Sequence, residues 1–373
     1  MGTLPRELTR WRIAVVVTML AVVAGSGIAW AVSRAEPPDE SLGALLDRVV
    51  EEGAPGVLVV VRDGDATRAE ARGLADRARA MPMAADVRFR AGSITKTFVA
   101  ALVLQLVDEG RLGLDDTVEH WLPGGVPHGQ AITVRHLLSH TAGLFDYVQD
   151  ERVLRDHERR WKPEELVSLA IAHPPEHAPG ERFTYSSTNY IVLGLIAEEA
   201  GGAPLERQLR DRLFGPLGLR RTSFVLGEIR GLHVHGYRSP SRDGIVTGSP
   251  VDTTHEPAWW TWAAGAIVST ADDLQRFFAA LLRGRVVSSA LLGEMQTLIP
   301  AGRLRYGLGI ATVPTTCGLA WGHSGNVQGT IAVAWNTMDV ARQLVLVVNT
   351  YPLSSELDAA VRQVQNAAFC GGT

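Results

Sequence analysis

The chain is short of three things, and each shortage removes a class of function. Its 373 residues hold two cysteines, Cys317 and Cys370, with no cluster of histidines beside them, so no zinc site is written in the sequence. Its net charge is only −4, which offers no reason to expect nucleic-acid binding. It has no internal repeat and no low-complexity block, and its length suits one large or two medium domains with a full core. His136 and His140 stand four apart, but no Glu occupies the metalloprotease position between them. They read as structural or loop hydrogen-bonding residues, and no metal or cofactor is expected.

What is present begins with an export segment. Arg6, Arg10 and Arg12 precede residues 13–32, a run without a charged side chain, and Ala29-Trp30-Ala31 offers a small-x-small cleavage site. The run is also long enough to span a bilayer uncleaved. Residues 1–35 therefore read as a signal peptide or a signal anchor. Either places residues 36–373 outside the cytoplasm, secreted or anchored to the membrane. No Cys follows the run, so a lipidated N-terminus is excluded. In an oxidising compartment an even pair of cysteines favours a Cys317–Cys370 disulfide, which would constrain the unfolded chain by roughly 4 kcal/mol. Two free buried thiols are the alternative.

Apolar periodicity predicts a helix over residues 41–52, a buried strand over 57–61, a turn at Asp63-Gly64-Asp65 and a partner strand over 67–73. The chain ends with strands over 330–335 and 343–349 and a helix over 357–368. Helices dominate between, among them one opened by a capping-box-like Thr270-Ala271-Asp272-Asp273. Strands at both ends with helices between imply an α/β (α+β) fold: a sheet from about 41–92 and 300–373, and a mainly helical region over about 93–299.

The chemistry centres on Gly92-Ser93-Ile94-Thr95-Lys96, followed by an apolar helical run. A serine alcohol is a poor nucleophile until a base takes its proton. Lys96, three residues on, lies on the same helix face and can do so if burial lowers its pKa. Taken alone, the pair also fits an N-cap Ser with a solvated Lys. Two later stretches supply further groups. Tyr185-Ser186-Ser187 sits in a turn before an apolar helix and brings a phenol able to relay a proton. Gly322-His323-Ser324-Gly325-Asn326 enters a strand, where glycines let a sheet edge approach a ligand.

Ser93-Ile94-Thr95-Lys96, Tyr185-Ser186-Ser187 and His323-Ser324-Gly325 resemble, in order and rough spacing, the three active-site elements of serine penicillin-recognising enzymes. The likeness is to the class C β-lactamase and DD-peptidase branch. It extends to residues 134–144, Trp262-Ala263-Ala264-Gly265-Ala266 and Tyr306-Gly307-Leu308-Gly309, and covers about residues 42–370. Within the branch the chain is most similar to a secreted actinomycete D-alanyl-D-alanine carboxypeptidase. The resemblance implies a β-lactamase/transpeptidase-like fold and an acyl-enzyme on Ser93, with Lys96 and Tyr185 sharing proton transfers. It implies an oxyanion hole from the Ser93 and Asn326 N–H groups, substrate-carboxylate contacts from His323 and Ser324, and a pocket lined by Trp260. It also matches the Cys317–Cys370 disulfide. The substrate would be a small cell-wall peptide, a β-lactam or an ester; an esterase or β-lactamase on the same fold is the alternative, and a non-catalytic binder a further one. A monomer is expected.

Two departures stand out. Ser187 replaces the Asn that usually ends the second motif, which removes one amide donor. Ala311 stands where the carboxypeptidase has an Arg for the substrate carboxylate, with Arg303 and Arg305 nearby as candidate substitutes.

Overall fold

Two runs of branched apolar residues, Val57-Leu58-Val59-Val60-Val61 and Leu344-Val345-Leu346-Val347-Val348, decide the architecture. Neither shows polar alternation, as is expected of strands covered on both faces. In the computed structural model, which describes residues 41–242 and 245–371, they pair antiparallel, with Val59 opposite Leu346. The full antiparallel sheet contains β1 (Gly56–Asp63), β2 (Ala66–Asp76), β3 (Met81–Pro82), β4 (Ile299–Ala301), β5 (Leu304–Tyr306), β6 (Ala311–Thr315), β7 (Gly318–Val327), β8 (Thr330–Asn336) and β9 (Arg342–Val348). Their order is β4-β5-β6-β7-β8-β9-β1-β2-β3. The N-terminal hairpin thus docks against the last strand of the sheet. The arginine-flanked apolar segment and its linker lie outside the described residues; among those described, no helix is long and apolar enough to cross a membrane.

Alternate side chains of one strand feed two cores. Val57, Val59, Val61, Leu344, Leu346 and Val348 face α1 (Leu42–Glu51) and the C-terminal helix (Ser355–Cys370). Leu58, Val60, Val345 and Val347 face the central helical region. Truncating Leu346 to Ala in this packing would cost about 2–5 kcal/mol. Both terminal helices start from serine caps: Ser41 accepts from the Ala44 N–H and Ser354 from the Leu357 N–H.

α2 (Thr95–Asp108) runs through the middle of the molecule. Every residue from Thr95 to Leu104 is buried, so the helix has no solvent stripe, the pattern of a helix surrounded by protein. Phe98 stacks on Phe277 at 3.6 Å between ring centroids, which joins α2 to the helix Ala271–Leu282. At that helix's start Thr270 accepts from the Asp273 N–H, but Asp273 does not complete a box. Its carboxylate accepts instead from the Arg221 N–H and the Thr222 hydroxyl, tying a loop to the helix. The helical region also carries short strands: Phe89–Arg90, Ile267–Ser269 and Ser223–Phe224 form a small sheet directly before the nucleophile turn.

Candidate active site

Ser93 sits in a single 3₁₀ turn, Gly92–Ile94, that opens directly into α2. Two glycines allow this turn to press against β7. Gly92 has φ +54°, and a Cβ there would meet the Asn326 backbone nitrogen at 2.8 Å. A Cβ on Gly325 would meet the Ala91 carbonyl at 2.1 Å and the Ser93 nitrogen at 2.5 Å. The nucleophile and the strand edge are thus packed backbone to backbone. Two threonines of the motif fix the turn from inside: Thr95 accepts from the Ile267 N–H, and Thr97 donates to the Gly309 carbonyl at 2.7 Å.

Lys96 is fully buried one turn along the helix. Its Nζ donates to Ser93 Oγ at 3.0 Å and to the Ala264 carbonyl at 3.0 Å, with Ser187 Oγ at 3.5 Å. Burial penalises its charge and lowers its pKa to about 7; the Asp146 carboxylate pulls it partly back up. About half of the amine is therefore neutral at neutral pH. The Tyr185 phenol reaches the Ser93 hydroxyl and its ring lies 5.0 Å from Lys96 Nζ. Although the residue as a whole is 37% exposed, protein crowds its oxygen, and this desolvation raises the phenol well above its ordinary value. It stays protonated wherever Lys96 can act as a base.

The segment around Asp146 holds the second motif in place. His140 adopts φ +57°, stacks on Tyr185 at 4.2 Å between centroids, and accepts the Ser186 N–H on Nδ1 at 3.2 Å. Burial, with Lys96 and His323 nearby, keeps His140 well below its ordinary pKa, hence neutral. Asp146 Oδ1 accepts the Ser187 N–H at 3.0 Å and the Val148 N–H at 3.4 Å. His136 performs a local task, its ring accepting the Thr133 N–H in a helix-start box.

These groups open into a cavity of about 500 Å³. Ser93, Lys96, Tyr185, Ser187, Trp260, His323, Ser324 and Asn326 all line it, so the residues singled out for catalysis or substrate contact are brought together, with the exception of Arg303 and Arg305. Three features differ from expectation. The carboxylate-binding role expected of His323 has no free ring nitrogen: Nδ1 faces the Ser324 carbonyl and Nε2 meets the Tyr306 hydroxyl at 3.0 Å. Burial also holds His323 down to about 3, so it carries no positive charge. Arg303 and Arg305 do not stand in for the missing arginine. Leu304 and Tyr306 of β5 face the cavity; strand alternation turns Arg305 away, and Arg303 lies exposed in the turn before the strand. Finally, Asp146 lines the cavity and was not legible as a site residue; its only sequence signal was adjacency to the 134–144 segment.

Outside the cavity lining, Cys317 and Cys370 are joined, with their Cα atoms 5.5 Å apart, and fasten the C-terminal helix to the β6–β7 turn.

The Beta-lactamase family model matches residues 42–368. The chain is similar to a putative penicillin-binding protein of Bacillus subtilis, 29% identical over 266 residues, covering 71% of this chain and 63% of the relative. It is also similar to an esterase of Burkholderia gladioli, 33% identical over 280 residues, covering 65% of this chain and 70% of the relative. Among solved structures, a D-stereospecific amidohydrolase from Streptomyces superposes with a TM-score of 0.80 at 33% identity, covering 90% of this chain and all of that one. A D-amino acid amidase from Ochrobactrum anthropi gives 0.79 at 28% identity, covering 87% and 97%.

Proposed function

This chain belongs to the β-lactamase family of serine hydrolases, and from that premise we propose that it hydrolyses amides and esters of D-amino acids through an acyl-enzyme on Ser93. One observation carries the substrate class. The cavity offers no cation free for a substrate carboxylate: Lys96 is occupied by the nucleophile, burial lowers the pKa of both His323 and His157 and favours their neutral forms, and no arginine lines the wall. A cation would strengthen recognition of a terminal D-Ala carboxylate; an amidase or esterase whose leaving group is neutral has no use for one. The likeness to the Streptomyces D-stereospecific amidohydrolase and the Ochrobactrum D-amino acid amidase supports this choice.

In the proposed reaction neutral Lys96 takes the Ser93 proton as Oγ bonds the acyl carbon. The oxyanion that forms is held by the Ser93 and Asn326 N–H groups at the edge of β7. The Tyr185 phenol passes its proton to the leaving nitrogen or oxygen as that bond breaks, and is reprotonated from Lys96. Water then cleaves the Ser93 ester by the same proton route in reverse. Ser187 supports Lys96 from the far side.

Export is proposed on the arginine-flanked apolar segment and the Cys317–Cys370 bond, which suits an oxidising compartment. The D-alanyl-D-alanine carboxypeptidase reading stays as the second, favoured by Ser324 and Asn326, whose side chains offer neutral donors for a carboxylate.

The test sets D-phenylalaninamide, D-phenylalanine methyl ester, benzylpenicillin and a D-Ala-D-Ala-terminated peptide against the full chain and its Ser93→Ala variant, following products and intact mass. Serine-dependent turnover of the amide or ester, faster than of its L-isomer, is expected. Turnover of the D-Ala-D-Ala peptide alone would replace the proposal with the carboxypeptidase reading. Rapid serine-dependent loss of penicillin alone would replace it with a β-lactamase.

A further inference from the structure

We propose that Asp146 is a specificity-determining residue that selects substrates carrying a free protonated amine, and this rests on the acyl-hydrolase reading above. Asp146 is only 8% exposed, and what remains of its surface faces the cavity. Its two oxygens have different duties. Oδ1 is spent on backbone, accepting the N–H groups of Ser187 and Val148. Oδ2 has no hydrogen bond among the described residues. A carboxylate oxygen that borders the cavity and has no protein partner is placed to meet a cation carried by the substrate.

The protein supplies only a partial answer: burial raises the Asp146 pKa, and the Lys96 charge, acting without a hydrogen bond, lowers it in part. The chain has two lysines, Lys96 and Lys162, and only Lys96 lines the cavity. Its hydrogen bonds go to Ser93, Ser187 and Ala264, not to Asp146. The catalytic step also requires Lys96 to be neutral, which leaves the Asp146 charge uncompensated at the moment of attack. An ammonium on the substrate restores the balance. As a like charge, it also discourages protonation of Lys96 and so favours the basic form of the amine.

The shared cavity suits an α-amine. The α-nitrogen of an aminoacyl group lies two covalent bonds from the acyl carbon, about 2.5 Å away. Asp146 is linked to the nucleophile by a short relay: Asp146 to the Ser187 backbone at 3.0 Å, Ser187 Oγ to Lys96 at 3.5 Å, and Lys96 to Ser93 at 3.0 Å. Asp146 and Ser93 line the same cavity, so one substrate can set a nitrogen beside Oδ2 and present its acyl carbon to Ser93. The remaining wall is apolar and aromatic, with Tyr147, Leu154, Phe183, Leu304 and Trp260. This suits a bulky apolar side chain on the same amino acid. Three fixed points (ammonium, acyl carbon and side chain) are enough to distinguish the two hands of an α-carbon.

The experiment compares D-phenylalanine p-nitroanilide with its desamino analogue, 3-phenylpropionyl p-nitroanilide, on the full chain and on Asp146→Asn. The variant keeps an oxygen for the Ser187 and Val148 N–H groups and removes the charge. Wild type is expected to favour the amine substrate in kcat/KM by about 30-fold or more, and the ratio in Asp146→Asn to collapse to within about threefold of unity. A ratio unchanged by the substitution, with both compounds turned over, overturns the role of Asp146 alone. Failure to cleave the D-phenylalanine compound at all, alongside Ser93-dependent hydrolysis of p-nitrophenyl acetate, overturns the D-aminoacyl reading and this proposal together. A second measurement needs no variant: 2-phenylethylamine should inhibit wild type at least about 10-fold more tightly than 2-phenylethanol, and equal inhibition overturns the proposal.

Discussion

The two walls of the cavity are built on opposite principles. The α2 wall, with Ser93 and Lys96, is dense in polar groups held away from their ordinary protonation. The facing wall, from β5 to β7, carries Leu304, Tyr306, Ala311, His323 and Ser324 and no formal charge. Lys96 is deprived of water so that its amine can work as a base. His323 is deprived of water too, but both its nitrogens are consumed by neighbours, so its burial supports Tyr306 and the strand rather than a reaction. Burial alone does not mark a reactive group; the presence of a reactive neighbour such as the Ser93 hydroxyl does.

Breaking the reactive wall should have the largest effect. Ser93→Ala should lower kcat/KM for the best substrate at least about 1,000-fold. Lys96→Met should cost about 100- to 10,000-fold, and its thermodynamics sharpen the contrast. The folded pKa of Lys96, about 7, lies below the ordinary value of 10.5, so between those values the unfolded chain binds the extra proton. Wild-type stability should rise with pH across that window, and denaturant titrations of Lys96→Met should lack this rise. The same group sets the acid limb of activity: kcat/KM should fall about 10-fold per pH unit below pH 7, as read from a pH–rate profile. Recharging the opposite wall should act more gently. Ala311→Arg should move preference toward substrates ending in a free carboxylate by about 10-fold, measured as a ratio of kcat/KM values. Smallest for activity is Cys317→Ala with Cys370→Ala, which should remove up to about 4 kcal/mol of stability while the purified protein keeps its turnover.

How much of this was legible beforehand varied between the walls. Ser93 and Lys96 were readable because helical spacing of three places both groups on one face, whatever the rest of the chain does. The sheet was readable because strands covered on both faces need unbroken apolar runs such as 57–61. The opposite wall was harder. Whether Arg305 or its neighbours Leu304 and Tyr306 face the cavity depends on the register of β5 against β6, where Tyr306 pairs with Ala311, and a slip of one residue would invert the choice. The state of His323 depends on a hydroxyl from Tyr306, seventeen positions away. Asp146 was hidden for another reason: an Asp beside a short turn looks like an ordinary cap, and its second oxygen matters only once Tyr185-Ser186-Ser187 has folded over it.

The position of β1 between β9 and β2 has a consequence for the order in which this protein is made. Ser93 and Lys96 are synthesised early, on an apolar helix, while the strand edge against which Gly92 packs belongs to β7 and the partner of β1 to β9. Until those last strands emerge, β1 lacks its central neighbour and the nucleophile turn lacks its wall. Pairings this distant along a chain form slowly, and the waiting intermediate exposes strand edges and apolar helix surface. A nascent chain stopped short of residue 318 would carry the serine and its lysine without the strand that aligns them. Hydrolytic competence should therefore arrive abruptly, with the final strands, rather than accumulate as the chain grows.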